Sequence, residues 1–190
     1  MNRREAIKRT TLLLGGAISA SAMTGVLSGC QADPKVDWTP RFFSTDEAGI
    51  VEAIAERIIP HTDTPGAKDA GVPAFIDTMM AEFYQEDEKK AFREGIKTVM
   101  TDARAAYGKS FVSLAPEQQD ELLRKYDAEA YDKERKPENK HFFRMMKELT
   151  VLGFCTSEPG ATEFLKYDPA PGDYKGCIPY AEVGAAWATS

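Results

Sequence analysis

The sequence is poor in the residues that usually carry chemistry. Only two histidines, His61 and His141, and three cysteines occur among its 190 residues. No Gly-x-Gly-x-x-Gly opens a helix after a strand pattern, so the dinucleotide fingerprint is missing. No Gly-x-x-x-x-Gly-Lys-Ser/Thr occurs, which removes a standard P-loop. Lack of Cys-x-x-Cys-His excludes covalently attached c-type haem, and lack of Gly-x-Ser-x-Gly removes a nucleophile elbow. A metal site usually takes three or four protein ligands, and no spacing here supplies them. His61, next to Asp63 in a turn-rich stretch, invites an acid–base reading; loop hydrogen bonds account for it more simply. His141 opens an apolar helical pattern and reads as structural. The carboxylates Asp46, Glu47, Asp63, Asp69 and Asp77 belong to an acidic chain, in which most carboxylates are caps or solvated faces. Chemistry alone points to a binding or structural protein.

Excess positive charge is lacking too. The formal charge is −6, which does not suit nucleic acid, whose phosphates call for basic patches. A long apolar run is the third absence. Residues 10–27 are uncharged, but too short and too diluted by Gly and Ser to span a bilayer, which takes about 20 mostly apolar residues. Behind the basic start, this run reads as the h-region of a signal peptide. Arg3 and Arg4, with Lys8 four residues on, resemble a twin-arginine export motif, although Ala6 replaces the bulky residue usual after the pair. A weaker signal for the general secretory route is the alternative. The run closes in Leu27-Ser28-Gly29-Cys30, which resembles a lipobox, with Cys30 as the lipidated residue. The expected organisation is therefore a signal peptide over 1–29, a lipidated tether over 30–42 and a folded domain over 43–190.

Removal of residues 1–29 leaves 161 residues, enough for one domain with a real core. It also removes four basic residues and one acidic, so the formal charge falls to −9. Such a surface does not seek anionic lipid, and attachment rests on the lipid at Cys30. The remaining thiols, Cys155 and Cys177, are open to two readings outside the cytoplasm: a disulfide, or two separate small apolar residues.

What is present is helical pattern. Ser44-Thr45-Asp46-Glu47 is a capping box, with Phe43 placed as a staple and Ile50, Val51, Ile54 and Ile58 at helical spacing up to Pro60. A turn-rich loop follows over 61–71. Pro73 opens a second helix with Phe75, Ile76, Met79, Met80 and Phe83 in its stripe. A third runs over 87–107 to Gly108, and a fourth begins at Pro116 and carries Leu122, Leu123 and Tyr126. The charge run 132–140 reads as a linker. The fifth covers 141–154, with Phe142, Phe143, Met146, Leu149 and Leu152 inward. Residues 156–190 are rich in Pro, Gly and Tyr and allow only a short helix near 161–165. The expected fold is a small all-α domain of about five helices with an irregular C-terminal tail.

Three blocks carry a family resemblance: Ile59-Pro-His-Thr-Asp-Thr-Pro-Gly-Ala-Lys-Asp-Ala-Gly-Val-Pro-Ala-Phe-Ile-Asp77, Leu149-Thr-Val-Leu-Gly-Phe-Cys-Thr-Ser-Glu-Pro-Gly-Ala161 and Tyr167-Asp-Pro-Ala-Pro-Gly-Asp-Tyr-Lys-Gly-Cys-Ile-Pro179. In this order they resemble the small subunit, subunit 3, of gluconate 2-dehydrogenase. Cys155 departs from the pattern, where a bulkier residue is usual. The resemblance implies a cofactor-free accessory subunit. Its partner would be a large FAD-dependent dehydrogenase of the glucose–methanol–choline type, with a cytochrome c subunit as a further partner. It also implies a periplasmic complex that oxidises a sugar, sugar acid or polyol. The alternative is a stand-alone envelope lipoprotein, and a weaker third reading is an enzyme built on His61. Outer-membrane sorting is slightly favoured, since Gln31 follows Cys30 where Asp often signals inner-membrane retention. For docking, the loop Thr64-Pro65-Gly66-Ala67 and the tail residues Tyr167, Tyr174, Tyr180 and Trp187 stand out, as Tyr and Trp anchor interfaces well.

Overall fold

A capping box starts the first helix as its sequence requires. The Glu47 N–H donates to the Ser44 hydroxyl at 3.3 Å, and the Ser44 N–H donates back to the Glu47 carboxylate at 2.9 Å. The computed structural model describes residues 36–132, 141–170, 172–173 and 176–188. The export and lipidation residues Arg3, Arg4, Lys8 and Cys30, and the tail residue Tyr174, lie outside them. Helix α1 covers Thr45–Ile58, α2 Val72–Glu82, α3 Glu86–Tyr107, α4 Pro116–Ala130 and α5 Phe142–Thr156. A single 3-10 turn, Phe111–Ser113, leads into α4, and a short α6, Tyr180–Val183, lies in the tail. No strand forms among the described residues, only one isolated bridge between Lys166 and Trp187. The fold is all-α, with five long helices. None of the described helices is long and apolar enough to cross a membrane.

Apolar spacing decides which faces turn inward. Val51 and Ile54 of α1, Ile76 and Met80 of α2, Phe92, Ile96 and Val99 of α3, Tyr126 of α4, and Met145 and Met146 of α5 are almost completely buried in one core. Helix α5 is central and touches each of the other four long helices. The ring of Phe142 fits against α3 only because residue 95 is glycine: a Cβ there would stand 2.0 Å from Cγ of Phe142. Burying an aliphatic or aromatic side chain stabilises by roughly 1.5–3 kcal/mol, so these faces dominate the stability of the domain.

Two inward expectations are corrected. Leu152 is 47% exposed and Phe83 is 65% exposed. Beyond Phe142 and Phe143, the buried residues of α5 fall in pairs four apart, Met145 and Met146, Leu149 and Thr150, Gly153 and Phe154. This i+4 row carries the packed face away from Leu152, which follows Leu149 by three. Phe83 falls just past the end of α2 and so leaves its stripe.

The compact unit begins at Val36, inside the stretch read from sequence as tether. Val36, Trp38 and Phe42 pack against the core. A buried carboxylate makes this possible: Asp77 of α2 accepts the backbone N–H groups of Arg41, Phe42 and Phe43 at 2.7, 3.0 and 2.9 Å. Irregular backbone can be buried only when its polar groups are paired, and Asp77 pairs three. Arg93 of α3 donates to the carbonyl of Phe42 and lies over its ring, which closes the strap from the other side.

Candidate functional site

The loop after α1 is held from beneath by one carboxylate. Glu56 accepts the His61 N–H at 2.8 Å and the Lys68 N–H at 3.0 Å. Asp69 accepts the Gly66 N–H at 2.9 Å and meets His61 Nδ1 at 2.6 Å. The Gly66 N–H, and after it His61, hold the Asp69 carboxyl below its ordinary range, and Asp69 holds the His61 imidazole above its own. The Ala67 N–H donates to the carbonyl of Ile59 at 2.8 Å, and the Ala67 methyl sits in the core. A Cβ on Gly66 would lie 2.6 Å from both the Glu56 carboxylate and the His61 nitrogen, so the loop closes only around glycine. Gly66 and Ala67 are therefore buried inside this chain. Of the four loop residues read as docking positions, they support the loop from within and present no surface. Thr64 and Pro65 are half-buried, and the exposed tip is His61, Thr62 and Asp63.

The tail behaves differently. Tyr180 is 69% exposed, Trp187 47%, and Tyr167 is exposed to a similar degree. None of the three belongs to the buried core or to the half-buried residues packed on it. The tail leaves α5 through a π-helical turn, Gly160–Phe164, where the sequence pattern allowed a short helix. Ser157 sets this corner: its hydroxyl donates to the Phe154 carbonyl at 2.7 Å and accepts the Gly160 N–H at 3.1 Å. A Cβ on Gly160 would lie 1.8 Å from that same carbonyl. Phe164 then folds back edge-on to Phe154, with ring centres 5.5 Å apart. Further on, Lys166 closes a neck. Its N–H donates to the Ala186 carbonyl at 2.7 Å, its carbonyl accepts the Ala188 N–H at 2.9 Å, and its ammonium lies 4.6 Å from the centre of the Trp187 ring.

Several other polar groups pair within the helical domain. A hollow of about 320 Å³ between α1, α4 and α5 is lined by Arg57, Asp120, Asp127 and Lys147 over Leu123 and Phe143. Arg57 grips Asp120 through two bonds of 2.8 Å, and Lys147 donates to Asp127 at 2.8 Å. The Arg57 bond holds the Asp120 carboxyl low. His141 caps α5, accepting the Phe143 N–H at 3.3 Å, and its other nitrogen faces Glu129 at 3.6 Å. Cys155 and Cys177 carry free thiols, the first half-buried on α5 and the second exposed in the tail. Among the described residues no three His, Cys, Asp or Glu side chains converge as metal ligands.

The model of the family described as gluconate 2-dehydrogenase subunit 3 matches residues 45–172, more than half of the chain. The chain belongs to this family. Comparison with curated proteins and with solved structures returns no match. The subunit 3 match takes in all five long helices, the clamped loop, the π-helical corner and Tyr167. Ile178, Tyr180 and Trp187 lie beyond it. Within the matched span, sequence reasoning missed the exposed Val151, Leu152 and Phe164. A signal for the first two was available: residues 149–157 contain no charged side chain, unusual for a helix with one face in water.

Proposed function

We propose that this chain is the non-catalytic accessory subunit of an exported FAD-dependent dehydrogenase of the glucose–methanol–choline type. In this reading the complex oxidises a sugar, sugar acid or polyol. The large partner holds FAD and passes electrons to an acceptor such as a cytochrome c subunit. This chain contributes the twin-arginine leader, a lipid on Cys30 that holds the complex at the periplasmic side of the envelope, and a folded surface that stabilises the large subunit.

The observation that carries the reading is the subunit 3 match across the helical domain. An all-α fold gives a flavin no seat of the usual kind, since the dinucleotide cradle is a strand, a Gly-rich turn and a helix. Exposed Tyr167, Tyr180 and Trp187 on a tail free of the core support a docking role for that end.

The test is affinity capture of the tagged protein from native membranes, with mass spectrometry and a flavin absorbance scan of the eluate. A stoichiometric partner with bound FAD is expected. A colourless monomer under gentle extraction would overturn the subunit reading in favour of a stand-alone lipoprotein. Cys30→Ala is expected to move the protein from the membrane to the soluble fraction.

A further inference from the structure

We infer that the outer face of the C-terminal half of α5, continued through the π-helical corner to Tyr167, is the seat on which the large flavoprotein subunit docks. This rests on the subunit reading above and says where on the chain the contact lies.

The outer face of α5 changes character midway. In its first half Arg144 and Glu148 form an ion pair at 2.9 Å across one turn, as expected of a face in water. One turn later charge stops. Val151 is 49% exposed and Leu152 is exposed to nearly the same degree, with half-buried Cys155 a turn beyond. The inward side of this half is fully used, since Gly153 lies against Phe75 and Phe154 is buried. Rotation of the helix therefore cannot hide Val151 and Leu152.

The exit from this helix end carries further exposed apolar side chains. The Ser157–Gly160 corner returns Phe164 to Phe154 at the end of α5, and exposed Tyr167 follows. Four large apolar side chains thus stand exposed within 17 residues of chain, on one helix end and its exit. By contrast, exposed Phe83, Val112 and Tyr131 occur singly, at the end of α2, in the 3-10 turn and at the end of α4. Single exposed apolar residues are ordinary, whereas a concentrated group marks an interface, and at its helical end residues 149–157 carry no charge. Charge depletion with aliphatic and aromatic groups is the composition of an interface centre.

Two observations select the occupant. The chain is one subunit of a family defined over residues 45–172, and this run lies within that span while Tyr180 and Trp187 fall outside it. A contact common to such subunits belongs in the common part. The chain also carries a formal net charge of −6, and like net charge disfavours association with a second copy.

The test is co-expression of the tagged full chain with the large subunit, followed by capture and quantification of bound flavin. A double variant, Val151→Glu with Leu152→Glu, places charge on exposed positions and leaves the core untouched. It is expected to retain wild-type helicity and to lower captured flavin about tenfold or more, as burial of charge at an interface centre does. Phe83→Glu, at a more exposed position at the end of α2, is expected to capture as wild type does. Leu152→Ser is the milder check and should weaken capture in the same direction with an unchanged melting curve. Wild-type capture by the double variant would overturn this seat while leaving the subunit reading intact. Equal loss in Phe83→Glu would overturn it as well, by showing that any added charge suffices. Failure of the wild-type chain to capture flavin would sink the subunit reading itself.

Discussion

The loop over 59–71 and the tail over 165–188 are built from the same turn-forming residues, yet the molecule uses them in opposite ways. In the loop two carboxylates, Glu56 and Asp69, take three backbone N–H groups, and Ala67 enters the core. In the tail the described long-range ties gather at one neck, where Lys166 meets residues 183–188. Pro and Gly content therefore says that a segment is irregular, and nothing about whether it is fixed. What fixes irregular backbone is a supply of acceptors from neighbouring helices, because its N–H groups must be paired before it can be buried. The loop has Glu56 below it. The tail has no such helix beneath it among the described residues, so its aromatics stay on the surface.

Asp77 gives the largest test of that rule. It does for the strap over 36–43 what Glu56 does for the loop, with three N–H groups on one buried carboxylate. Asp77→Ala strands all three and is expected to destabilise by about 3 kcal/mol or more. Asp77→Asn, which keeps an acceptor, should lose clearly less. Denaturant melts of the two variants decide it. Equal and small losses would show that the strap contributes little to the fold.

Gly66→Ala comes next. The new methyl meets Glu56 and the His61 nitrogen well inside contact distance, and overpacking of this kind costs about 1–3 kcal/mol. The melting temperature should fall by several degrees. An unchanged melt would mean that the loop yields freely, and the contrast with the tail would collapse.

These two cases also show what could be read from the sequence. The long helices were legible because their signals are local: the Ser44 capping box, Pro73 and Pro116 in first turns, Gly108 as a stop, and apolar spacing in between. The strap, the clamped loop and the outward turn of Leu152 were not. Each depends on contacts distant in the chain, such as Asp77 with residues 41–43. A single glutamate inside α1 gives no sign that it serves a loop five to twelve residues away. Exposure was legible only in part: of the residues singled out for docking, Tyr167, Tyr180 and Trp187 lie at the surface while Gly66 and Ala67 are internal, and the exposure of Val151 and Leu152 went unnoticed.

A smaller effect follows from His61 and Asp69. Asp69 raises the His61 pKa above its ordinary 6.5, so the imidazolium adds stability that is fully present below about pH 6.5. That part is lost as pH rises through the elevated value. Asp69 is lowered from 3.8, so its share is present above that value and fades as pH falls below it. The pair supports the loop best between the two, from about pH 4 to 6.5. His61→Gln should cost more melting temperature at about pH 6 than at about pH 8. Both groups are exposed, so the difference is small, and a pH-independent difference would remove the pair as a contributor.

The smallest effect on stability belongs to Trp187, and it sharpens the comparison most directly. Its ring covers the Lys166 ammonium, while the backbone bonds of the neck run through Ala186 and Ala188. Trp187→Ala removes an exposed cation–π contact of about 0.5–1 kcal/mol and leaves those bonds in place. Because the tail is not packed on the core, this loss should act on the neck alone. The global melt should stay within error of wild type, and limited proteolysis between residues 167 and 186 should accelerate. In Gly66→Ala the order reverses, with a lower melt and an unchanged rate of cleavage in the tail. A fall in the Trp187→Ala melt comparable to that of Gly66→Ala would show that the tail melts together with the helices. The exposed aromatics would then be part of the cooperative fold rather than a surface kept for a partner.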